Sequence, residues 1–95
     1  MFIVLLTFSE NKAQAAIHME GHKAWIKQGF DDGVFLLVGS LQPNRGGGIL
    51  AHNESLQALQ NRINQDPFVA EKVVNADILE MTPATADQRL AFLLD

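Results

Sequence analysis

The chain has 95 residues, 47% of them hydrophobic and 19% charged, with a formal net charge of −4 and no cysteine. That balance excludes a disordered chain, and the missing cysteines exclude disulfides, thiolate metal sites and a thiol nucleophile. The acidic charge disfavours nucleic acid and anionic membranes, where a basic patch supplies most of the affinity, so neither is expected as a partner.

Met1 to Phe8, "MFIVLLTF", is rich in Val, Ile and Phe and reads as the first strand. It is too short to span a bilayer and lacks the basic start and small-residue cleavage site of a signal peptide. A cytoplasmic location is expected, which the lack of cysteine suits. Ser9 can cap a helix running from about Glu10 to Phe30, with the capping box left incomplete by Lys12. "DDG" at Asp31 to Gly33 ends that helix, Gly33 supplying left-handed geometry. "VFLLVGSL" is the second strand, "QPNRGG" a turn and "GILAHN" the third strand, antiparallel to the second. "ESLQALQNRINQ" is a helix with Leu56, Leu59 and Ile63 on one face, and "DPFVAEKV" restarts a short helix. "ADILEMT" is the fourth strand, and "TADQRLAFLL" a terminal helical turn or arm.

The order β-α-β-β-α-β predicts a single α+β domain over residues 1–95, with the ferredoxin-like pattern: a four-stranded antiparallel sheet with helices on one face. Alternation in the first strand sets Phe2, Val4, Leu6 and Phe8 against Ile3 and Leu5. In the second strand it sets Val34, Leu36 and Val38 against Phe35, Leu37 and Leu41. Both sheet faces are apolar and helices cover only one, so a homodimer packing sheet to sheet is expected. The competing arrangement folds the terminal arm, with Leu90, Phe92, Leu93 and Leu94, over that face within one chain.

Two histidines, His18 and His22, lie four residues apart beside Trp25 on the inward side of the first helix, while Glu20, Lys23 and Lys27 mark its solvent pole. An H-x-x-x-H pair suits zinc, but a site needs a third ligand, for which only His52 and Asp66 offer themselves, and no metal is expected. The structural reading makes both half-buried core histidines bonded to the backbone, and for His18 it is preferred. Asp66, followed by Pro67, is a helix N-cap pattern. A capping carboxylate can keep one oxygen for an imidazole, and an aspartate that fixes the tautomer of a histidine makes it a competent general base. Spacing alone leaves both roles open. The glycine run "NRGGGIL" lacks a P-loop lysine and reads as a hairpin turn with a bulge, on which Arg45 stands solvated or attracts an anionic substrate.

"GHKAWI" in the first helix, "LLVGS" in the second strand, "GGGIL" opening the third and "QDPFV" before the fourth, taken in order, resemble the YciI-like (YCII-related) family across nearly the whole chain. The resemblance implies the ferredoxin-like fold and dimers of the α+β-barrel type. It maps the family's proposed active-site pair, a helix-1 histidine and the aspartate of a D-P-[FY] turn, onto His22 and Asp66. It maps the glycine ending the second strand onto Gly39, whose backbone lines the pocket, and Phe68 of the D-P-[FY] turn is expected among the substrate-binding residues. Ser40 stands where the family usually has proline and leaves a free hydroxyl at the pocket mouth. His18 matches no family motif. Relatives include one similar to an enzyme removing chloride from a chlorinated hydroxyhydroquinone, so the implied chemistry is proton abstraction from a small cyclic or aromatic compound. The resulting expectation is a cofactor-free lyase or isomerase with His22 as base, Asp66 as its orienting partner, and Ser40 or Arg45 holding a substrate oxygen. Its rival is a non-catalytic small-molecule-binding or interaction module on the same fold. An RNA-recognition domain shares the strand order, but the third strand lacks stacking aromatics.

Overall fold

A computed structural model describes residues 1–95. Along the chain run β1 (Phe2–Phe8), α1 (Ala15–Asp31), β2 (Phe35–Leu41), β3 (Gly46–Ala51), α2 (Leu56–Asn64), α3 (Pro67–Ala70) and β4 (Val74–Glu80). The strands form one antiparallel sheet in the order β2-β3-β1-β4. The helices cover one face of it, which is the ferredoxin-like arrangement.

Strand alternation decides what is buried. Phe2, Val4 and Leu6 of β1 face the helices together with Ile49 and Ala51 of β3, and they meet Trp25, Leu59 and Ile63 there. Ile3 and Leu5 point to the other face and are half-buried. In β2 the simple alternation fails. A bulge between Phe35 and Leu37 puts Phe35 on the helix face with Val38, not on the open face with Leu37 and Leu41. The extra residue lets two consecutive side chains, Val34 and Phe35, both be buried.

The helix starts also differ from expectation. Ser9 is held by its main chain, its N–H donating to the Val73 carbonyl and its carbonyl accepting from Lys12, and its side chain caps nothing. Lys12–Gln14 forms a short 3-10 turn before α1 begins at Ala15. Gly33, at φ +74°, ends α1 as its sequence context implies. Gly46 and Gly47 belong to β3 and not to the preceding turn, pairing with Leu41 and Ser40 of β2. At Gly46 the φ is +131°, and a Cβ would lie 1.9 Å from the Leu6 carbonyl oxygen, so only glycine passes there.

α1 sits very close to the sheet. A Cβ on Gly29 would be 2.2 Å from the Phe35 ring, so the missing side chain is what lets the helix cross the ring. Trp25 meets Phe35 edge-on at 5.1 Å between centroids, and its indole N–H donates to the Arg62 carbonyl at 2.9 Å. The Arg62 guanidinium binds Glu54 and, at 2.9 Å, Asp32. The bond from Arg62, with help from Gln28, holds the Asp32 carboxyl below its ordinary pKa. Glu54 first, then Asp32, raise that of Arg62. The end of α1 is thereby tied to α2 at the ring, the main chain and the charges, which fixes the rotation of α1 and the direction of His22.

The open face keeps Leu37 59% and Leu79 51% exposed. The terminal arm forms a 3-10 stretch over Gln88–Leu94 and touches His52 through Phe92, ring centroids 5.6 Å apart. Leu90, Phe92 and Leu94 stay exposed, so the arm does not cover the face within one chain. No helix is long and apolar enough to cross a membrane.

Candidate active site

α2 ends at Asn64, and two residues later Asp66 opens α3. With φ −64° and ψ 123°, Asp66 has the extended backbone of an N-cap, and Pro67 sits just inside the helix. Its Oδ1 accepts the Phe68 N–H at 3.0 Å. The same oxygen lies 2.8 Å from His22 Nδ1. With Asp66 as the carboxylate acceptor of both contacts, the imidazole is the donor and Nδ1 carries the proton. That leaves Nε2 with a free lone pair. α1 reaches this turn because residue 21 is glycine: a Cβ there would stand only 3.1 Å from the Pro67 ring.

Asp66 is 0% exposed, and its Oδ2 is buried without a protein hydrogen-bond partner. A cap alone does not need this, because asparagine caps as well as aspartate. Burying a charge with one oxygen unsatisfied costs stability. The imidazole beside it is the one side chain that benefits from the charge.

The imidazole plane is fixed by aromatic stacking. Phe68 lies flat on it, centroids 3.9 Å apart and planes 3° from parallel, and Trp25 lies beyond at 5.9 Å. His22 is 14% exposed, and its open edge faces a cavity of about 390 Å³ between α1 and the β2–β3 side of the sheet. Leu6, Phe8, Val38, Ile49 and Val74 give that cavity apolar walls, and Gly46, Gly47 and Gly48 give it a stretch of wall with no side chains. The glycine run borders the cavity with its backbone, paired to Leu41, Ser40 and Gly39 of β2.

The structure gathers His22, Gly39, Ser40 and Phe68 around this one cavity, with Asp66 behind the histidine. Phe68 touches the imidazole face directly, a contact that sequence alone did not suggest. Arg45 is not part of the wall. Its amide and carbonyl are taken up by Leu41 and Phe8 in the turn, and its side chain is exposed. His18 is half-buried and makes no side-chain hydrogen bond, unlike the backbone-bonded core histidine its position suggested. No three His, Asp or Glu side chains converge as a metal cluster. Reading Lys23 as a marker of the solvent pole missed its place on the cavity: it lines the mouth next to His22, along with Met19 and Ile26 one turn to either side.

Among solved structures, the chain is similar to the 5-chloro-2-hydroxyhydroquinone dehydrochlorinase of Burkholderia phenoliruptrix in complex with 2,5-dihydroxybenzoquinone. The TM-score is 0.68 at 11% sequence identity, over 85% of this chain and 93% of that one. At that identity the likeness establishes the shared α+β fold. No protein-family model matches the chain, and a search of curated proteins found no match.

Asp66 carries two loads that substitution separates. Asp66→Ala loses the cap and leaves the His22 Nδ1–H without its acceptor, and is expected to destabilise the fold by about 2 kcal/mol. Asp66→Asn keeps an oxygen for both donors and is expected to stay within about 1 kcal/mol of the parent. Urea denaturation of the three proteins checks this; equal losses for both variants would contradict it.

Proposed function

We propose that the chain is a cofactor-free acid–base enzyme of the lyase or isomerase type, acting on a small cyclic or aromatic compound. The observation that carries the proposal is the buried Asp66 carboxylate bonded to His22 Nδ1, on the side of the ring away from the cavity. In this reading Nε2 takes a proton from the substrate. Asp66 remains ionised and stabilises the imidazolium that forms. In an isomerisation Nε2 returns the proton to another substrate atom. In an elimination the leaving group departs with its bonding pair, and the proton passes from Nε2 to water. Phe68 holds the imidazole plane, and the Ser40 hydroxyl donates to a substrate oxygen. The cavity suits a single-ring compound: about 390 Å³ lies at the lower end of the size range of small-molecule sites, and its walls are mostly apolar. The structural neighbour acts on a chlorinated hydroxyhydroquinone, which makes substituted hydroquinones the first compounds to try. YciI-like family membership and a cytoplasmic location belong to the same proposal.

The rival reading, a non-catalytic binding module, needs the cavity but not the charge on Asp66. Turnover of a panel of hydroxylated and chlorinated hydroquinones, followed by absorbance and chloride release, separates the two. A substrate of the parent enzyme is expected to lose about 100-fold or more in kcat with His22→Gln and about tenfold or more with Asp66→Asn. Unchanged kcat in both variants would overturn the catalytic assignment.

We also propose that the open sheet face pairs with a second copy of the chain as a dimeric α+β barrel. Leu37 and Leu79 lie on that face beside Ile3, Leu5 and Leu50, an apolar strip that water would otherwise meet. Light scattering is expected to give twice the monomer mass, and Leu37→Glu is expected to give the monomer. A monomeric parent across the micromolar range would contradict the pairing.

A further inference from the structure

The walls of the His22 cavity have a sign. The chain contains 11 Asp and Glu residues, and none of them lines the cavity. One cation does: Lys23, the residue after the histidine. Lys27 and Arg62 are committed to carboxylates, as is Arg89 to Asp87. Lys23 makes no ion pair, so its ammonium is free for a ligand. A second cation stands near the same end, Lys12, 4.6 Å over the ring of Phe8, which is itself a wall residue. In a chain of net charge −4, this is a local positive field over an apolar chamber.

We infer that the cavity selects compounds that are anionic at neutral pH, a flat apolar ring bearing a carboxylate or an ionised hydroxyl, and that Lys23 is the residue that selects them. The inference rests on the reading of this cavity as a substrate site. The physical reason is differential. The apolar wall accepts the ring whatever its charge. The ammonium adds attraction only for the anion, and no carboxylate lines the wall, the one behind it, Asp66, being hydrogen-bonded to His22. The same charge serves the chemistry proposed for His22. A proton removed from the ring compound leaves negative charge on it, and a nearby ammonium stabilises that charge while the imidazolium forms. Lys23 is half of a two-ended grip, with the Ser40 hydroxyl across the cavity offering a neutral donor to a second oxygen.

Benzoate and its neutral counterpart benzamide test this without any turnover. Each is titrated into the full-length protein while the backbone amide signals of Gly47 and Gly48 are followed by NMR. Benzoate is expected to shift both signals and to bind about fivefold tighter than benzamide at low salt. Raising the salt concentration is expected to shrink the difference. Lys23→Gln is expected to abolish it by weakening benzoate to the affinity of benzamide, because glutamine removes the charge and keeps part of the aliphatic stem. Equal binding of the two compounds, no binding of benzoate at millimolar concentration, or an unchanged preference in Lys23→Gln would each overturn the inference. The result is independent of the catalytic reading. A Lys23-dependent preference for benzoate stands even if His22→Gln leaves turnover untouched, and a lost preference leaves the His22–Asp66 chemistry to be judged by its own kinetics.

Discussion

A carboxylate with no exposure and one oxygen without a protein partner is an expensive thing to bury, and the rest of the site is arranged around it. Asp66 would serve α3 equally well as asparagine. The charge matters to one neighbour, His22, whose Nδ1–H it receives at 2.8 Å. Everything that locks the histidine follows from this contact. Gly21 lets α1 come within reach of the Pro67 ring, Phe68 lies on the imidazole face, and the Trp25–Arg62 bond sets the rotation of the helix.

Gly29 and Gly46 both let backbone come close to its neighbours. Gly29 lets α1 press onto the Phe35 ring, and Gly46 passes the Leu6 carbonyl where a Cβ would collide. The Gly46–Gly48 backbone then forms part of the lining of the cavity that His22 borders.

Much of this was legible in the sequence, and the parts that were not have physical reasons. The element order and the β1 alternation could be read because their periodicities are unbroken. The Asp66-Pro67 cap could be read because its chemistry is local, and the pairing of His22 with Asp66 was carried by the family resemblance. The β2 bulge could not be read, because a bulge depends on the partner strand and Val34 and Phe35 look like ordinary alternation. Ser9 has the right residue type for a cap, but its main chain is already engaged with Val73. The helical wheel placed Lys23 toward solvent, and it is exposed; a wheel does not show that a cavity opens at that edge of the helix. Arg45 was attractive for its charge alone, and its exposed side chain is not among those that line the cavity.

The central claim is that His22 is held as a base, with its proton on Nδ1 facing Asp66 and a free Nε2 facing the cavity. The most direct measurement is a two-bond proton–nitrogen correlation spectrum of the 15N-labelled imidazole above the pH at which the ring is protonated. Neutral His22 is expected to show the Nδ1–H tautomer as its main form, against the Nε2–H form that an unconstrained histidine prefers, and Asp66→Ala is expected to return it to Nε2–H. A neutral His22 already in the Nε2–H form in the parent protein would contradict it, because Nε2 could then accept no proton from a ligand in the cavity.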